Sequence, residues 1–254
     1  MPYKNEKSLL TQFPELKIVN DPYIRFYLYR CYPNEIVPDI DRSDIMNEVY
    51  ISLKWYDKDV ESDYLEPDTF FASSHNMLRN LFKAFDNDFY INDFKKYCID
   101  RDVAYDKMSD KDAQKYRMEW MIKPTTISRY IEIISNKEIQ RHINLTHTLG
   151  NFLIVPKCFG KMKALKFRES FVQSLKYLEE NFKDYKNAYH VDNFEQWKVK
   201  FLIEDFYEND NLFNKISIAE KRLLKEKNYK LFIKTLPLIS DLIEKRTKKI
   251  IKNL

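Results

Sequence analysis

Only two of the 254 residues are glycine, Gly150 and Gly160, and they stand on either side of a single short segment, Asn151–Phe159. Glycine serves where the backbone needs positive φ or a close approach. A chain this poor in it lacks several nucleotide-binding and acyl-transfer devices. It has no GxxxxGKS or GxxxxGKT phosphate loop and no GxGxxG dinucleotide fingerprint. It has no GxSxG nucleophile elbow either. The two glycines it keeps are there for geometry. One expectation is that Gly150 closes a turn and Gly160 stops the chain before the next helix. The other is that the bracketed loop frames a site, with His147, Thr148 and Asn151 at its mouth and Lys157 nearby.

The rest of the composition favours a packed helical protein. Apolar residues make up 44% of the chain, which is material for a core rather than for disorder. Charged residues, at 32%, are interspersed as on solvated helix faces. The excess of Phe, Tyr, Lys, Asn, Asp and Ile matches AT-rich codons and suggests a low-GC bacterial, phage or plasmid gene. No repeat period or Gly/Ser linker divides the chain, so one domain over 1–254 is expected.

The fold class expected is mainly α, with a minor short β element. Five of the nine prolines fall before Asp41, so the N-terminal part should be irregular. Apolar stripes at i, i+3, i+4 spacing then recur behind Ser43, Ser74, Ser109 and Thr125. The spacing also predicts helices over Ala164–Asn181, Asn193–Tyr207 and Asn228–Ile251, the last interrupted by Pro237. The runs Tyr23–Tyr29 and Phe152–Val155 could form a strand pair.

The three cysteines, Cys31, Cys98 and Cys158, are odd in number and have no CxxC spacing. A disulfide framework or zinc site is not expected, and a reducing cytoplasm fits. No HExxH pattern occurs, and His75, His142, His147 and His190 have no metal spacing to cysteine. The carboxylates Asp39, Asp41, Asp44, Asp57, Asp59, Glu61 and Asp63 read as a solvated surface. No cofactor or metal is implied. No signal peptide or bilayer-spanning apolar run is visible, so a cytoplasmic protein without membrane contact is expected.

Charge is distributed unevenly. Residues 216–254, a basic C-terminal helical tail, hold eleven Lys and Arg against four Asp and Glu, a net +7. With the whole chain at +4, residues 1–215 carry −3. Such asymmetry points to a polyanion, RNA above all, with Lys245, Arg246, Lys248, Lys249 and, from the loop, Lys157 as candidate contacts. The alternative is a solvated face that complements the negative end of a helix dipole.

Arg141 and His147 stand six apart in Arg141–His142–Ile143–Asn144–Leu145–Thr146–His147. This resembles the Arg-x(4–6)-His motif of the HEPN-type abortive-infection ribonucleases. The resemblance implies a metal-independent ribonuclease of antiviral defence. His147 would move a proton at the ribose 2′-hydroxyl, and Arg141 would hold phosphate. The Gly150–Asn151 turn departs from that family's continuous helix.

Three further segments resemble an uncharacterised bacterial domain family. Its members share a His-Thr-Ile-Gly-Gly…Pro stretch, an Asn-x-x-Arg-Gly stretch and a Phe-Leu-Leu-x-Asp helix. Here they read His147–Thr148–Leu149–Gly150–Asn151 with Pro156, Lys166–Phe167–Arg168–Glu169, and Phe201–Leu202–Ile203–Glu204–Asp205. The second Gly is replaced by Asn151, and the Asn and Gly around Arg168 are missing. The resemblance nominates His147, Arg168 and Asp205 as a constellation, with Arg168 alternatively bracing Asp205. Without a strong catalytic motif, a non-catalytic protein-interaction module of a defence or toxin system is the other functional class. Its many Tyr and Phe would then serve as interface anchors.

Overall fold

The computed structural model describes residues 44–55, 64–71, 74–108, 110–160, 162, 170–207 and 210–254. Eleven α-helices and one two-stranded sheet appear among them, so the protein is mainly α. In chain order these are α1 (Asp44–Ser52), β1 (Leu65–Thr69), α2 (Ser74–Phe85), α3 (Asn87–Ile99), α4 (Asp110–Met121), α5 (Pro124–Arg129), α6 (Ile131–Ile134) and α7 (Lys137–Leu145). After them come β2 (Phe152–Pro156), α8 (Phe171–Glu180), α9 (Phe194–Lys200), α10 (Asp210–Glu226) and α11 (Tyr229–Asn253).

Short polar side chains start five of these helices. Asp86 accepts from the Phe89 N–H ahead of α3, and Asn136 accepts from Glu138 and Ile139 ahead of α7. Ser170, Asn193 and Asn228 cap α8, α9 and α11 in the same way. Each oxygen satisfies an N–H that has no partner within the helix. Pro124 occupies the first turn of α5, where its missing N–H costs nothing. The apolar stripe behind Thr125 breaks at Tyr130 into α5 and α6.

The described strand pair joins the expected run Phe152–Val155 to a segment the sequence did not nominate. Phe152–Pro156 pairs antiparallel with Leu65–Thr69, in register Pro67↔Ile154. The run Tyr23–Tyr29 lies outside the described residues. β1 reads Leu-Glu-Pro-Asp-Thr and gives little strand signal. Pro67 is tolerated because a two-stranded sheet is all edge. β2 is buried along its whole length, which explains an apolar run without alternation.

The buried side chains form two clusters. One gathers α2 to α7, with Phe82 stacked on Tyr130 at 3.9 Å between ring centroids. The other gathers the sheet, α1, α8 and α9 around Trp55, Phe71, Trp197 and Phe206. α11 belongs to both: Phe232 and Leu236 enter the first, and Ile239, Ile243 and Ile250 enter the second. Pro237 stands where the helix passes from one to the other. The basic segment is therefore no appended tail. Residue 216 falls inside α10, and α11 is a central strut with one face in water.

Neither glycine has positive φ. Six other described residues do, namely Lys54, Asp102, Cys158, His190, Leu202 and Lys227. Gly150 is needed for proximity instead. A Cβ there would overlap the Ile243 carbonyl oxygen and Thr247 Oγ1, and would lie 2.8 Å from the Thr247 nitrogen. Gly160 has room, since its nearest neighbour would be Asp68 Oδ1 at 3.6 Å.

Candidate nucleic-acid interface

The glycine-bracketed turn faces inward. Asn151 is fully buried; its Nδ2 donates to the Thr146 carbonyl at 2.6 Å, and its Oδ1 accepts from the Phe71 N–H at 2.8 Å. Thr148 Oγ1 donates back to the Leu145 carbonyl, and the Gly150 N–H donates to Thr247 Oγ1. These polar groups close the end of α7 and fasten it to α11 and β1. They do not line the mouth of a cleft. Lys157, in the turn after β2, is exposed.

Arg141 and His147 do not share a helix, because α7 ends at Leu145. Arg141 Nε donates to Glu244 Oε1 at 3.0 Å and its Nη2 to Asp241 Oδ1 at 2.5 Å. These hydrogen bonds, to Glu244 first, push its pKa above the ordinary range. His147 is half-buried, with both ring nitrogens inaccessible to solvent. The ring next to Arg141, His142, is buried with Nδ1 3.4 Å from Ser240 Oγ, and burial lowers its pKa to about 4. The sequence spacing therefore does not become a phosphate-and-proton site.

Of the constellation His147, Arg168 and Asp205, two members are described. Arg168 lies outside the described residues. Asp205 sits in a 3-10 turn with its side chain 4% exposed, and it pairs with Lys245 at 2.8 Å and Lys249 at 2.7 Å. Burial pushes its carboxyl up, but the two ammonium groups outweigh that and leave the pKa lowered. Asp205 is a brace between its turn and α11, built with Lys245 and Lys249.

Arg246, expected at a polyanion surface, is wholly buried. Its Nε donates to the Phe201 carbonyl at 3.0 Å, and its Nη1 to Gly150 at 2.8 Å and Phe152 at 2.7 Å. The guanidinium lies over the Trp55 and Phe71 rings, 5.0 and 5.2 Å from their centroids. Burial lowers its pKa to about 9. Periodicity explains the correction: 246 falls in line with Ile239, Ile243 and Ile250 on the buried stripe.

A basic surface does assemble, from partly different residues. The exposed face of α11 carries Lys230, Lys234, Asp241, Lys245, Lys248 and Lys252. Of these, Asp241 is neutralised by Arg141 and Lys245 reaches Asp205. Lys249 is half-buried against Asp205. Exposed Lys221, Arg222, Lys225 and Lys227 extend the surface around the α10–α11 turn, where Arg222 lies 3.8 Å from Glu226. The sequence reading counted Lys230, Lys234 and Lys252 in the basic segment but did not single them out as contacts. The i, i+4 spacing of Lys230 and Lys234, repeated at 248 and 252, was the available signal.

One polar group lining a partly open pocket lies away from this face. Asn80, His142, Ser170 and Glu220 share a cavity of about 40 Å³ with Phe71 and Phe171 among its walls. Ser170 Oγ donates to the Glu220 carboxyl, and burial raises that carboxyl's pKa to about 7. The volume holds a few waters. Among the described residues no group of three or more His, Cys, Asp or Glu is placed to hold a metal ion, and no helix is long and apolar enough to cross a membrane. No family model, curated protein or solved structure matches the chain.

Proposed function

We propose that this chain is a cytoplasmic nucleic-acid-binding protein, with RNA as the expected ligand and bacterial antiviral defence as the setting implied by its resemblance to the HEPN-type ribonucleases. The observation that supports the binding reading is the lysine face of α11. Along the exposed side of one long helix every charged position is lysine except Asp241, and Arg141 pairs with that carboxylate. Phosphates would displace counterions from such a face with little rearrangement. Binding is favoured over RNA cleavage because Arg141 is committed to two carboxylates and the His147 ring nitrogens are out of solvent.

Fluorescence anisotropy with labelled RNA across a salt series tests this. Affinity should fall linearly on a log–log plot, with a slope of roughly 0.7 to 0.9 per phosphate contacted. Lys248→Gln with Lys252→Gln should flatten that slope by about 1 to 2. Absence of RNA binding, together with salt-insensitive capture of a protein, would replace this reading with the interaction module.

A further inference from the structure

Resting on the nucleic-acid reading above, we propose that the ligand is a duplex, gripped through its phosphates at two separated points, rather than a single strand. Two exposed lysine pairs, Lys230 with Lys234 and Lys248 with Lys252, lie on α11, which runs unbroken from Tyr229 to Asn253. Equivalent members are eighteen residues apart, about five full turns, so both pairs face one direction. At 1.5 Å per residue they are roughly 27 Å apart along the axis.

Along α11 between the pairs there is no aromatic side chain on which a base could stack. Tyr64 is the one exposed aromatic among the described residues, and it belongs to the approach to β1, not to α11. Proteins that hold single strands normally stack bases on such rings, at about 1–3 kcal/mol per base. A flexible strand spanning the two pairs here would lose chain entropy without that return. A duplex is stiff over about 150 base pairs and arrives already straight. It presents phosphates at both pairs, which in B-form DNA lie within less than one turn of roughly 34 Å. Duplex RNA and duplex DNA offer this same chemistry. Preference for RNA would add contacts to the 2′-hydroxyl.

The experiment compares the full chain's affinity for single strands and for hairpin stems of RNA and of DNA, at matched phosphate number and fixed salt. Stems should bind at least about tenfold tighter than single strands. Affinity should step up between about 6 and about 12 base pairs, since 27 Å corresponds to roughly 8 base pairs at 3.4 Å each. Lys230→Gln with Lys234→Gln, and separately Lys248→Gln with Lys252→Gln, should each abolish that step while leaving the circular dichroism spectrum unchanged. Equal binding of RNA and DNA stems, or preference for RNA stems, both support a duplex ligand. Equal or tighter binding of single strands, or a smooth length dependence, overturns the duplex assignment and leaves nucleic-acid binding standing. Loss of all nucleic-acid binding removes both readings.

Discussion

Arg246 Nη1 donates to the Gly150 carbonyl oxygen at 2.8 Å, which ties the C-terminal half of α11 to the turn that precedes β2. The same nitrogen reaches Phe152, and Nε reaches Phe201, so one buried cation serves three backbone carbonyls. This contact needs the turn to lie directly against α11, and Gly150 is what permits it. Gly150→Ala should therefore destabilise the protein by about 1–3 kcal/mol, the usual range for overpacking. Gly160→Ala, in helical backbone with space around it, should be neutral or stabilise by up to about 1 kcal/mol. Urea unfolding of the two variants checks this, and equal effects would contradict the close-approach account.

Glu220 and His142 share a cavity and titrate with opposite consequences. Glu220 has its pKa raised to about 7 by burial, so the folded state holds a proton that the unfolded chain releases from the ordinary value of 4.5 upward. Its contribution to stability falls as pH rises through that window. His142 has its pKa lowered to about 4 from 6.5, so the unfolded chain holds the extra proton and stability rises with pH between those values. The two should largely cancel between about pH 4.5 and 6.5. Glu220→Gln should expose the rising limb, and His142→Gln the falling one. Each slope should be on the order of 1 kcal/mol per pH unit or less, since Glu220 retains intermediate exposure. Urea unfolding from pH 4 to 8 reads it, and parallel pH profiles for the two variants would contradict it.

Lys227 links α10 to α11 at φ 54°, is exposed, and is followed by the Asn228 cap. A lysine in left-handed backbone costs roughly 1 kcal/mol, a cost glycine does not have. Lys227→Gly should raise stability by about that amount and steepen neither the salt nor the pH dependence of folding. A drop in thermal midpoint would show that the lysine side chain contributes more than its backbone strain removes.

Asp205 holds Lys245 and Lys249 against the body of the protein. Asp205→Asn should lower stability by about 1–3 kcal/mol, because a nearly buried, doubly paired carboxylate loses its charge. It should also free two ammonium groups at the proposed interface, tightening nucleic-acid binding and raising its salt slope by about 1 to 2. Reduced stability with unchanged affinity would place these lysines outside the interface.

The sequence by itself determined the helical class, because apolar stripes and their Ser, Asn and Asp caps are local signals. Asn193 and Asn228 are caps at the positions the spacing predicts. It also determined that Gly150 is special and that the C-terminal charge is concentrated. Only the tertiary structure decided what each of these does. Gly150 turned out to answer proximity to α11, and chain direction says nothing about which helix will lie against a turn ninety residues earlier. β1 escaped notice because a strand written Leu-Glu-Pro-Asp-Thr exists through its pairing with β2 and not through its own propensity. The candidate site divided for the same reason. Arg141, His147, Arg246 and Lys248 are equally polar in one dimension, yet only packing directs three of them inward or into ion pairs and leaves the fourth in water.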